Sequence, residues 1–161
     1  MIVLAIDPGP VKCGVVLYDD HNRIVLYTLK AATVDQAVDL VRDAKGSDTL
    51  IAIERVQSMG QAGASLLQTS EVVGRLHQRA LDSGLPVVLL YRREVCSHLH
   101  VHGAGKDSQV RQRMIEAHGG SREIAVGTKR NPGPLHGVAS HAWQALGLAY
   151  VAAEKVAREE G

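Results

Sequence analysis

A chain of 161 residues, 45% apolar and with a net charge of +1, is long enough to bury the core of one ordinary domain, here residues 1–161. No apolar run is long or pure enough to cross a bilayer, and the first residues enter a strand pattern rather than a signal peptide, so a soluble cytoplasmic protein without a membrane partner is expected. Cys13 and Cys96 stand far apart and outside any paired-ligand motif, which argues against a disulfide framework or zinc site and makes each a small core residue.

The first apolar run, residues 2–6, reads as a strand that ends at Asp7, ahead of Pro8-Gly9. Runs at 13–18 and 24–29 flank the tetrad Asp19-Asp20-His21-Asn22 and predict an antiparallel hairpin. Thr33 and Gln36 have capping-box spacing, and Val34, Ala37, Val38 and Val41 continue at helical period to about residue 44. Residues 50–53 form a fourth strand, and Glu54 closes it as Asp7 closes the first. Each acid alone is an ordinary turn or cap residue. Two acids that both terminate apolar strands are a different matter, because open α/β sheets place their sites at the carboxyl ends of strands and a bound cation would make buried carboxylates useful.

Leu66, Val73, Leu76 and Ala80 predict one face of a long helix ending near Gly84, and residues 86–91 a fifth strand. The next segment is irregular. Asp107 stands where an N-cap would precede Val110, Met114 and Ile115, and Gly119-Gly120 stops that helix. After Pro132-Gly133-Pro134 a final helix is expected over 138–158, with Ala142, Leu146, Ala149 and Ala153 as its buried stripe. Between residues 92 and 130 eight Lys or Arg face four acids, with His98, His100, His102 and His118 in the same stretch. Such a region suits phosphate backbones, or is a solvated face.

Three antiparallel strands, a helix, a strand, a long helix, a fifth strand and closing helices follow the order of the RNase H-like fold, an α/β architecture with a five-stranded mixed sheet flanked by helices. IDPGPVKCGVVLYD, IAIERVQSMG, GKDSQVRQRMIEAHG and GTKRNPGPLHGVASHAWQALGLA resemble the successive motifs of RuvC-type Holliday-junction resolvases, in particular their phage-type relatives. The resemblance implies a crossover junction endodeoxyribonuclease that acts on four-way DNA junctions as a homodimer, with a branch-migration helicase as a further partner it admits. It also implies that Asp7 and Glu54 bind Mg²⁺ or Mn²⁺, two ions per site, which activate water and stabilise the leaving oxygen.

In that family the last helix usually supplies two acids three residues apart. The matching positions here are His141 and Gln144. A His at the first is similar to a variant within the family, and imidazole suits Mn²⁺ better than Mg²⁺. Gln144 is a departure, which leaves Asp107 as the other candidate carboxylate, with a helix cap as its alternative role. Lys106 corresponds to the family's basic residue near the scissile phosphate only after a one-residue slip. Arg92, Arg93, Arg111, Lys129 and Arg130 are further candidates for DNA contact, as are Gln57 and Met59 in the loop after the second acid, where some relatives insert an aromatic wedge. The long helix bearing Gly63, Leu67 and Gly74 is the candidate dimer interface.

Three other functions fit parts of the pattern: an RNase H-like nuclease acting on other branched DNA or on RNA, a non-catalytic junction-binding protein, and an actin-like ATPase. The last needs two such domains to form its nucleotide cleft, and this chain has one.

Overall fold

The computed structural model describes residues 1–46, 48–58, 60–103 and 106–160, the side chain of Glu160 excepted. Strands β1 (Ile2–Asp7), β2 (Lys12–Asp19) and β3 (Ile24–Thr33) form an antiparallel meander, and after helix α1 (Val34–Asp43) the strand β4 (Thr49–Arg55) pairs parallel to β1. Helix α2 (Ala64–Asp82) crosses to β5 (Val87–Tyr91), parallel to β4, so the sheet order is β3-β2-β1-β4-β5. Helices α3 (Arg92–His98), α4 (Lys106–Ala117), α5 (Arg122–Ala125) and α6 (Ala142–Glu160) complete the chain.

Successive strand residues point to opposite faces, and this parity sorts the core. Leu4, Ile6, Ile51 and Ile53 pack with Ala37 and Val41 of α1 and Val72, Leu76 and Ala80 of α2. Val3, Ala5, Leu50 and Ala52 pack with Ala145, Leu146, Leu148 and Ala149 of α6 on the other face. The capping box of α1 forms as expected: the Gln36 amide N–H donates to the Thr33 hydroxyl at 3.1 Å, and the Thr33 N–H donates to Gln36 Oε1 at 2.8 Å.

Helix α6 is buried over more of its circumference than a single stripe, with Trp143, Val151 and Ala152 also in the core. It lies between the sheet and α4. Small residues make this approach possible: a Cβ on Gly147 would stand 2.7 Å from Val110 Cγ1 of α4. Three local expectations are corrected. Helix α6 starts at Ala142, not 138, because Gly137 (φ 86°) and Ser140 (φ 49°) adopt left-handed backbone that no helix contains. The irregular stretch after β5 holds helix α3, whose start is secured by the Tyr91 N–H donating to the Glu94 carboxylate at 2.8 Å and whose Val95 and Cys96 are buried. Helix α4 starts at Lys106, which puts Asp107 in its first turn rather than at its cap.

Cys13 and Cys96 are both free and buried. His118 belongs to the core and not to a basic surface. Its Nδ1–H donates to the Met114 carbonyl at 2.7 Å, so Nε2 accepts from the Tyr18 hydroxyl at 2.9 Å, and burial lowers its pKa. No helix among the described residues is long and apolar enough to cross a membrane.

Candidate active site

The same parity that builds the core delivers the two acids. Asp7 follows Val3 and Ala5, and Glu54 follows Leu50 and Ala52, so both carboxylates leave the sheet on the α6 side at the carboxyl ends of adjacent parallel strands. Their side chains are only 17% and 14% exposed. Burial pushes the Asp7 pKa up to about 6; Arg92 opposes this and Asp107 adds to it. Burial, reinforced by Asp7, pushes Glu54 up to about 7 against the pull of Arg92. Both groups therefore give up their protons less readily than free carboxylates do.

His141 enters through a backbone contact. Asp7 pairs with Gly14 across β1 and β2, and a Cβ on Gly14 would lie 2.5 Å from the His141 carbonyl oxygen. Only glycine lets the approach to α6 come this near, and it sets His141 Nδ1 3.8 Å from Asp7 Oδ2 with most of the imidazole exposed. Replacing Gly14 by Ala is therefore expected to displace His141, lowering stability by about 1–3 kcal/mol in a chemical denaturation experiment.

Gln144 lies one turn further on and is buried. Its Nε2 reaches the Asp107 carbonyl oxygen at 3.5 Å, while Oε1 has no hydrogen-bond partner among the described residues. A buried acceptor without a donor is uncommon and costly. His141 is shared by two clefts: one of about 340 Å³ formed with Asp7, Pro8 and Lys12, and one of about 520 Å³ formed with Asp107, Arg111, Arg122, Trp143 and Gln144.

Arg92, the first residue of α3, stands inside the acid cluster. Its Nη1 donates to Glu54 Oε2 at 3.5 Å and its Nη2 to Asp107 Oδ1. The basic stretch is thus not one surface. Arg93 stacks over the Tyr91 ring at 5.2 Å, where Arg55 also stacks at 5.0 Å, and Arg111 lies 5.2 Å over Trp143 beside the larger cleft. Lys106 is exposed at the start of α4, and Lys129 and Arg130 are exposed between Thr128 and Asn131. None of these three forms an ion pair with the acids among the described residues. Gln57 is exposed in the loop after β4, and Met59 lies outside the described residues.

Among the described residues no three His, Cys, Asp or Glu side chains stand close enough to hold a metal ion together. Two largely buried carboxylates on neighbouring strands are nonetheless oxygen ligands of the kind a hard divalent cation prefers, and the amide oxygen of Gln144, in the cleft that His141 shares, is a further oxygen donor. Sequence reasoning singled out Asp7, Glu54, His141, Gln144 and Asp107 as site candidates, but not the Arg92 bridge. The available signal was that a cation directly after the strand neighbouring β4 must come near Glu54.

No family model and no curated protein matches the chain. Solved structures do. The Thermus thermophilus RuvC structure superposes with a TM-score of 0.66 at 18% identity, covering 99% of this chain and 97% of that one. T. thermophilus RuvC in complex with Holliday junction substrate gives 0.65 at 18%, covering 98% and 96%. Sheet order, helix placement and full-length superposition together show that this chain has the RNase H-like fold of RuvC.

Proposed function

We propose that this protein is a structure-specific DNA endonuclease that resolves four-way Holliday junctions by metal-dependent phosphodiester hydrolysis, as a homodimer. The observation that carries the reading is the pairing of Asp7 and Glu54 on adjacent parallel strands, both largely buried and both facing α6. A divalent cation, Mg²⁺ or Mn²⁺, would be held by Asp7 and Glu54 with His141, completed by Gln144 or Asp107. When bound, such ions activate water and stabilise the departing oxygen. The chain's own part is to concentrate negative charge in a site walled off by α6, so that a cation is bound there rather than on the surface. In this reading Arg111, beside the cleft of His141 and Gln144, would contact phosphates together with Lys106, Arg93, Lys129 and Arg130, and Gln57 and Met59 are the candidates for contact with the junction centre.

The test is a comparison of a four-way junction with a linear duplex of the same arms. Preferential junction binding is expected, falling steeply with salt because phosphate contacts release counterions. Symmetric nicks are expected only when Mn²⁺ or Mg²⁺ is added. Equal affinity for both substrates would overturn the reading.

The homodimer is supported by one face of α2. Leu67, Gly74 and Leu81 are seven residues apart and so share a side of the helix; Leu67 is 57% and Leu81 51% exposed, and around Gly74 and Gly63 there is open space. Leu81→Arg is expected to yield a folded monomer by sedimentation velocity, with paired nicking lost. A persistent dimer would place the interface elsewhere.

A second reading, a junction-binding protein without nuclease activity, is favoured by one observation: the buried α6 residue that lines a cleft with His141 and Asp107 is the neutral Gln144. Junction binding with no nicking in either metal would establish it.

A further inference from the structure

We propose that Arg92 is a resident counter-ion of the acidic site, one that holds the metal-free protein together and must be displaced before a divalent cation loads. The inference rests on the metal-dependent reading above. Its basis is geometric: one guanidinium bridges two acids from different elements, Glu54 on β4 and Asp107 on α4, 38 and 15 residues away in sequence. The bridge is a specific arrangement and not an incidental surface pair. The Asp107 side chain is 79% exposed and has solvent to turn to, yet it meets Arg92, whose side chain is 27% exposed. Arg93, next in sequence, instead stacks on Tyr91.

The planar fork of arginine is suited to bridging carboxylates, whereas lysine presents a single point charge. A cation on Glu54 would approach its oxygens to about 2.0–2.6 Å. Oε2 already receives Nη1 at 3.5 Å, so ion and guanidinium would be crowded around one oxygen in a poorly solvated place. Their repulsion there is far stronger than in water. One cation therefore excludes the other. Asp107, exposed at the rim, retains the displaced guanidinium.

The experiment is calorimetric titration of Mn²⁺ alone into the full chain at one fixed pH, paired with thermal melts in chelator and in saturating Mn²⁺. Arg92→Gln is expected to tighten Mn²⁺ about tenfold, because the competing charge is gone. It should also melt about 3–8 °C lower than the parent in chelator yet match the parent with Mn²⁺ bound, since the ion then does the work of the guanidinium. A variant folded only when Mn²⁺ is present meets the same expectation. Arg92→Lys keeps the charge but loses the fork and should fall between the two. Unchanged Mn²⁺ affinity in both variants overturns the proposal, as does an Arg92→Gln variant equally destabilised with and without Mn²⁺. If the parent binds Mn²⁺ and Asp7→Asn does not, that failure leaves the nuclease reading standing; if the parent binds no Mn²⁺, both fall.

Discussion

Replacing Asp7 by Asn, or Glu54 by Gln, is expected to abolish metal-dependent cleavage while leaving junction binding largely intact, because each removes a cation ligand rather than a phosphate contact. The same changes should make the metal-free protein more stable at about pH 8, by about 1–3 kcal/mol, since a buried charge is replaced by a neutral group of equal shape. The sign follows from the raised values, about 6 for Asp7 and about 7 for Glu54, against 3.8 and 4.5 for the free groups. The folded protein holds these protons to higher pH than the unfolded chain. Stability contributed by the protonated forms is therefore complete at acid pH and declines as pH rises from about 4 to about 7. Thermal melts of parent and variants across that range read the effect directly. For the same reason, cation binding should release protons and strengthen with pH through the 6–7 window, measurable as a buffer-dependent heat. A variant that cuts at near the parent rate would remove Asp7 and Glu54 from the site.

Gln144→Asp is expected to raise the cleavage rate about tenfold or more and to lower the Mn²⁺ concentration required, because a neutral amide is a weak ligand where a carboxylate would bind a hard cation firmly. The buried, unpartnered Oε1 marks the position as one where an acceptor is available. A carboxylate at this buried position should also destabilise the metal-free protein at neutral pH, so rate and stability are expected to move in opposite directions. If Gln144→Asp changes nothing while Asp107→Asn abolishes cleavage, the additional carboxylate comes from α4. If neither matters in an active enzyme, Asp7, Glu54 and His141 suffice.

Much of the fold was legible in the chain because it is written in local periodicity. The hairpin at Asp19-Asp20-His21-Asn22, the capping box of α1 and the five strands all follow from patterns a few residues long. That Asp7 and Glu54 each close an apolar strand was equally legible, whereas their side-by-side placement on the α6 face comes from the pairing of β1 with β4, segments remote in sequence. Tertiary structure alone decided what surrounds them. The start of α6 is set by left-handed backbone at Gly137 and Ser140, just ahead of the His141 carbonyl that lies against Gly14, which helical propensity does not foresee. His118, grouped by sequence with a basic stretch, is drawn into the core by Tyr18, 100 residues away. Arg92 and Asp107, read along the chain as a DNA contact and a ligand or cap, meet each other, and Arg92 meets Glu54, because β5 lies beside β4 and α4 packs against α6. Sequence determines which groups carry charge and which strand face each acid takes; which charges neutralise one another depends on distances between remote segments, and those exist only once the sheet and α6 have packed.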